Sequence, residues 1–391
     1  MTMKNIFKSI LLLACGTFVM ASCSDDNDSN PTVVKPDKIE LFTPALANAE
    51  IDLANSTGID LVCTYPDYGF PVLKTYAVEV SLNEDMSDSL EMSQTFSDSR
   101  FTIDAGELAS TLTTMQVEQK GKLENDFPMN IKVYLRVRAA LNGGGKTVAG
   151  SEVYSNVVSL NHVNLAFSLP PVTVPQNLYI TGGFSGWSWD KDKCFEMVPI
   201  YDARDAKNQY DTQWRLVWID DAGIKFNSAR DWDGGEQGFD NITIDGDLAS
   251  EIISGGGNIA SSAPKWYLMI VKSEVKGRDI AYTVTFNKAE VWLIGTTSAG
   301  LWDELADGSM FSTPTTADGE FISPAFVQDA ADDSGVRAYV KIPGFDWWKS
   351  EFIIFDGKIA YRGTGGDQER VGGSAGQKLY LNFADGTGEI K

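Results

Sequence analysis

The sequence predicts an all-β chain of tandem, immunoglobulin-like β-sandwich domains, on three observations. Bursts of Gly, Thr, Val and aromatic residues alternate with turn residues, and long 3.6-residue periodicities are scarce. A phrase is repeated: Leu178-Tyr-Ile-Thr-Gly-Gly-Phe-Ser-Gly-Trp187-Ser-Trp189 returns as Val291-Trp-Leu-Ile-Gly295-Thr-Thr-Ser-Ala-Gly-Leu-Trp302. Further landmarks keep nearly the same offset. Gly182 and Gly295 differ by 295 − 182 = 113, Lys265 and Lys378 by 378 − 265 = 113, Lys225 and Lys341 by 341 − 225 = 116, and Trp232 and Trp348 by 348 − 232 = 116. A spacing this constant implies two copies of one module, each of roughly 105–115 residues, the size of a compact sandwich.

The first segment, residues 1–22, reads as a secretion signal. Lys4 and Lys8 supply a basic start, and the apolar run from Ile10 to Met20 is too short and interrupted for a stable span. Met20-Ala-Ser-Cys23 places small residues before a cysteine, which resembles a bacterial lipobox that leaves Cys23 as a lipidated N-terminus; Cys15 is the weaker competitor. Residues 23–35 form an acidic tether, because Ser24-Asp-Asp-Asn-Asp-Ser-Asn30 offers nothing to pack. An acidic run behind a lipidated cysteine resembles the surface-export signal of Bacteroidetes lipoproteins, with a periplasm-facing lipoprotein as the alternative.

Residues 36–163 read as an immunoglobulin- or fibronectin-like domain. Ile59–Tyr65, Thr75–Ser81, Ile131–Arg138 and Asn156–Leu160 alternate as strands, Asn142-Gly-Gly-Gly145 is a hairpin turn, and Glu107–Gln119 admits a short helix. No tryptophan lies here, so the domain is expected to act as a spacer. Residues 164–175 carry Pro170, Pro171 and Pro175 and read as a semi-rigid linker. The repeated modules follow as 176–287 and 288–391, with so short a join that a fixed mutual angle is expected.

Composition excludes several function classes. A net charge of −22 opposes binding to nucleic acid or anionic membrane surfaces. The one histidine, His162, leaves no material for a histidine triad or a multi-histidine metal site. Cys15, Cys23, Cys63 and Cys194 form no CxxC pair, and a disulfide framework is not expected. Asp231-Trp-Asp233-Gly-Gly-Glu236 lacks the spacing of a calcium loop, so neither metal nor cofactor is expected.

All ten tryptophans fall between residues 187 and 348. Trp214, Trp218 and Trp266 sit in strands and are expected to be buried or partly buried, and Trp292, inside a strand, is expected in the core. Trp187, Trp189, Trp232 and Trp302 sit in or beside glycine turns, where a large ring needs a reason to face water. A sugar is one such reason. The C–H face of a pyranose stacks on an indole, and its hydroxyls accept from lysine or arginine. Each copy offers a loop tryptophan, a lysine and a second tryptophan. If the backbone is extended at Trp347 and Trp348, only one of them can be the platform, and the seven-residue spacing from Lys341 favours Trp348.

With these residues the chain resembles the SusE-type (SusE/SusF family) starch-binding lipoproteins of Bacteroidetes polysaccharide-utilisation systems: a lipobox, an N-terminal sandwich opening Ile39-Glu-Leu-Phe-Thr-Pro-Ala, then modules opening Leu-Tyr-Ile-Thr-Gly and Val-Trp-Leu-Ile-Gly. The resemblance implies non-catalytic α-glucan binding at the outer membrane, with the lipid anchor and an outer-membrane glycan transporter complex as partners. Two aromatics and one or two bases per module are implied as ligands. These are Trp187 or Trp189, Trp232, Lys225 and Arg230 in the first copy, and Trp302, Trp347 or Trp348, Lys341 and Arg362 in the second. Arg230 aligns with Asp346, and Arg362 has no basic counterpart, so the sequence departs from that pattern. The rival readings are the same architecture on another polysaccharide, and a lipid-anchored adhesin with a protein partner. A glycosidase would need two carboxylates across a cleft, which small sandwiches seldom build.

Overall fold

The computed structural model describes residues 33–331 and 334–391; the expected signal, Cys23 and most of the tether lie outside the described residues. Two compact units meet between Pro170 and Pro171.

The first unit is organised around the long strand Met129–Gly143. Val133, Leu135, Val137 and Ala139 are buried on one face, while Lys132, Tyr134, Arg136 and Arg138 lie on the other. Its main sheet runs Glu50–Asp52, Val158–Leu165, Met129–Gly143, Lys74–Ser81, Leu90–Phe96. Gly58–Val62 pairs with Arg100–Asp104 as a second, two-stranded sheet. At the expected hairpin, Gly144 and Gly145 take left-handed φ angles of 65° and 86°. Among the described residues there is one α-helix, Ala105–Glu118. Asp104 caps it by accepting from the Glu107 amide at 2.8 Å, and Leu108, Leu112 and Met115 turn one stripe into the core. Cys63 is a small core residue whose thiol burial, helped by Asp98, pushes up to about 11.

The second unit holds both repeats. The first repeat is a sandwich of two five-stranded sheets. One runs Phe195–Glu196, Tyr179–Gly182, Ile224–Asn227, Asn258–Ser261, Ile252–Gly255; the other runs Val198–Pro199, Thr212–Ile219, Lys265–Lys276, Asp279–Lys288, Thr243–Asp245. Leu178, Ile180, Phe226, Val217, Tyr267 and Met269 fill the space between them. The second repeat is one seven-stranded path: Val291–Ile294, Arg337–Val340, Glu351–Phe355, Lys358–Tyr361, Thr387–Ile390, Leu379–Asn382, Phe321–Ile322. Its inward side chains gather in a single core, so the sheet curls around it.

That core does not stop at the module boundary. Trp214, Leu216, Trp266, Leu268 and Ile270 of the first repeat belong to the same cluster as Phe311, Phe321, Phe352, Leu381 and Phe383 of the second. Trp266 is 2% exposed, meets Phe321 and Phe383 edge-on, and donates its indole N–H to the Thr316 carbonyl at 3.0 Å. Trp214 and Trp266 are buried and Trp218 is partly buried, within expectation, whereas Trp292, expected in the core, is half-buried.

Candidate functional site

Each repeat turns its first strand into a loop through glycine. In the first, Gly186 and Trp187 both adopt left-handed backbone, at φ 61° and 60°. The Trp187 amide donates to the Gly182 carbonyl, and Thr181 and Ser185 hydroxyls tie the turn together. This fixes where Trp189 emerges. Trp189 is buried and meets Trp232 edge-to-face, with centroids 5.3 Å apart and planes at 65°. Trp232 itself is 51% exposed. Its loop is held by Asn227, whose amide donates to the Asp231 carbonyl and the Asp233 carboxylate. The bonds from Asn227 and Gly235 keep the Asp233 carboxyl below its usual range. Lys225, half-buried, sits in the neighbouring strand opposite Thr181.

In the second repeat Gly295, at φ 82°, forms the floor. A side-chain carbon there would lie 3.2 Å from the Trp302 ring and 3.6 Å from Arg337 Cδ. Trp302 is 52% exposed and pairs with half-buried Trp347, centroids 5.7 Å apart and planes at 36°. The Arg337 guanidinium lies 5.4 Å from the Trp302 ring centre and 5.9 Å from that of Trp347. Arg337 is ion-paired to Glu351, which is fully buried and also takes Arg362 at 3.1 Å. Burial pushes the Tyr339 hydroxyl up to about 12, and its oxygen accepts from the Leu305 amide, anchoring the Trp302 loop.

Strand register then corrects three expectations. If Gly182 and Gly295 are matched, Thr181 matches Ile294, and their cross-strand partners are Lys225 and Arg337. The structural counterpart of Lys225 is therefore Arg337, not Lys341. Lys341 is ion-paired to Glu304 and donates to the Phe345 carbonyl at 3.2 Å, while Glu304 accepts from the Trp347 amide at 2.8 Å; it braces the loops that carry the rings. Second, Trp347–Lys349 is a turn of 3-10 helix, so the extended alternation does not arise. Trp347 faces Trp302, and Trp348 packs at 5.2 Å from Tyr201 of the first repeat and under Arg362. Third, Arg230 is stacked on Tyr179 and paired to Glu196, and Arg362 serves Glu351 and the Tyr201–Trp348 pair, so the contacts each makes lie away from the two tryptophan pairs.

Sequence reasoning missed Arg337, although a signal existed. Asp220-Asp-Ala-Gly-Ile-Lys225 is echoed by Asp332-Asp-Ser-Gly-Val-Arg337, and the dipeptide Asp231-Trp232 by Asp346-Trp347. Counting at one fixed offset skipped both, because the intervening loops differ in length.

Residues 177–283 and 290–389 match the family described as SusF/SusE starch specific CBMs, together more than half of the chain. The chain belongs to the SusF/SusE family. A carbohydrate-binding outer-membrane protein is what that membership describes, and residues 25–138 match the family described as SusE outer membrane protein. The chain is 38% identical over 240 residues to the outer membrane protein SusF of Bacteroides thetaiotaomicron, covering 60% of this chain and 47% of that protein. It thus spans about half the length of that SusF/SusE relative. The crystal structure of SusF from the same organism superposes at a TM-score of 0.48 and 22% identity, over 90% of this chain and 100% of that one. Within this SusF/SusE member both repeats share a glycine turn and a pair of tryptophans; Arg337 lies over both rings of its pair, and Lys225 is matched to it by strand register.

Proposed function

We propose that the two repeats are starch-type α-glucan-binding modules, acting without catalysis on a lipoprotein anchored through Cys23 and facing the cell exterior. The supporting observation is the doubled constellation: Trp189, Trp232 and Lys225 in one module; Trp302, Trp347 and Arg337 in the next. In both, one strongly exposed indole is backed by a less exposed one, at an angle between planes of 65° and 36°. Angled rings follow the curve of an α-linked chain better than a flat wall would. The basic residue supplies N–H donors to sugar hydroxyls. Trp187, half-buried in the same turn as Trp189, is the other candidate for the first module.

Affinity electrophoresis through gels holding starch, a β-glucan or a mannan tests this reading. Retardation by starch alone, undiminished by chelator and with no new reducing ends, is the expected result. Retardation by a β-linked or mannose polymer would move the specificity. Unchanged migration in every gel would favour the adhesin reading. Detergent partitioning of Cys23→Ala and protease shaving of intact cells test the anchor and the exterior orientation.

A further inference from the structure

We propose that the seam between the two modules is a third saccharide-binding cleft, with Arg215 as its donor and Phe184, Phe195 and Trp218 as its stacking wall. The proposal rests on the α-glucan reading of the modules but uses none of the residues of either ring pair. A hollow of about 680 Å³ runs along the boundary, lined by Phe195 and Arg215 from the first module and by Lys358 and Tyr361 from the second. It continues, through shared Phe195 and Ala384, into an apolar hollow of about 240 Å³ bounded by Phe184, Trp218 and Trp266. Neither module alone would form it.

Arg215 is the unusual group in this seam. It is 8% exposed and held between the rings of Phe195 and Tyr361, at 4.8 and 5.0 Å. Its Nε is buried with no protein acceptor, and the Tyr361 hydroxyl beside it is likewise buried without a partner. Among the described residues its guanidinium has no carboxylate partner within ion-pair distance. A guanidinium that lines a hollow without a protein carboxylate keeps its terminal N–H donors available to a ligand that accepts from them. Phe184 and Phe195 lie stacked at 4.3 Å with planes 9° apart, and 38%-exposed Phe184 extends that wall to the surface.

The lining chooses between a sugar and an anion. Asp192, Glu196 and Asp385 border the same hollow together with Lys191, Lys193 and Lys358, so its lining carries both signs and gives an anion no purely basic cradle. A neutral polyol uses both signs: its hydroxyls accept from the guanidinium and donate to the carboxylates, while its C–H face lies on the rings.

The test is fluorine NMR of the mature chain labelled with 5-fluorotryptophan, titrated with maltoheptaose, each resonance assigned by single Trp→Phe exchange. The expected result is a saturable shift of the Trp218 resonance alongside those of Trp232 and Trp302. Arg215→Met, which keeps the aliphatic stem between the rings, should raise the Trp218 midpoint roughly tenfold and leave the other two unchanged. Phe184→Ala, at a 38%-exposed position, should do the same. If Trp232 and Trp302 move while Trp218 stays still, the cleft is wrong and the platforms stand. If none of the three moves, the α-glucan reading itself fails and takes the cleft with it. A Trp218 shift unaltered by both variants, or one produced by sodium sulfate and not by maltoheptaose, would also overturn the proposal.

Discussion

Arg337 is held before any ligand arrives. Glu351, fully buried, receives Arg337 on one oxygen and Arg362 on the other, and the Arg337 stem lies against Gly295. A side chain fixed in this way loses little rotamer entropy on binding. Truncating it should therefore have two effects. Arg337→Met should abolish the contribution of the second module to glucan retardation. It should also lower the unfolding free energy by about 3 kcal/mol, because Glu351 is left buried with one partner in place of two. Denaturant unfolding and affinity gels on the same sample check both. Lys341→Ala removes a partly exposed pair that braces two loops. Its stability cost should stay below about 1 kcal/mol, with retardation mostly retained. The opposite ranking of the two variants would restore Lys341 as the ligand. At this scale the sequence was legible in residue types and misleading in positions. Trp302 and Trp232 could be chosen from their glycine turns alone. Trp347 and Trp348 could not, because the choice depends on a single 3-10 turn that places consecutive rings on different partners.

Elements explain why the repeat was visible while its internal register was not. The strand-opening phrases recur because each must leave the sheet where no side chain fits: a Cβ at Gly182 would meet the Gly223 carbonyl and Ile224, and one at Gly295 the Trp302 ring. Loops between strands are free to differ, so a fixed offset drifts by a few residues along the module. Hydrogen-bonded register recovers the match of Lys225 with Arg337, which the echoed Asp-Asp-x-Gly-x-Lys/Arg phrase also carries. The first module also has a brace with no counterpart in the sequence argument. Glu251, ending the short 3-10 turn Ala249–Glu251, receives the Tyr267 hydroxyl at 2.6 Å and the Lys265 ammonium at 2.7 Å. Lys265 and Tyr267 together hold its carboxyl below the ordinary value of 4.5. A depressed carboxylate stabilises the fold above its unfolded pKa, and that contribution fades as pH falls through the lower folded value. Glu251→Gln should thus cost on the order of 1 kcal/mol at neutral pH. The gap from wild type should close on acidification below 4.5, followed by urea unfolding at stepped pH. A gap that persists unchanged at low pH would mean that the carboxylate charge contributes nothing.

For the whole molecule the decisive feature is the core shared across the two repeats. The expected fixed angle has a physical cause in Trp214 and Trp266, which pack among side chains of the following module. Trp266→Ala should cost about 3–5 kcal/mol. It should also split one cooperative unfolding transition into two, detectable by calorimetry, because it removes the element that makes the repeats a single body. The same rigidity governs binding. One platform of two rings and a few hydroxyl contacts nets only about 1 kcal/mol per hydrogen bond exchanged with water, so a module alone should bind in the micromolar-to-millimolar range. A second platform held on the same body makes the next contact intramolecular, and avidity for long chains can rise roughly 10²-fold or more. Trp232→Ala should leave the second module binding, and Trp302→Ala or Trp347→Ala should leave the first. Trp232→Ala combined with Trp302→Ala should lose the avid retardation by starch and keep only the weak, single-site binding of the cleft between the modules. Maltoheptaose should gain nothing from the pair: its affinity at one platform should be the same in wild type and in a variant lacking the other. A double variant that still binds starch as tightly as wild type would show that these tryptophans serve packing alone. If maltoheptaose instead shows the same gain as starch, the enhancement arises within one platform and the two modules act independently.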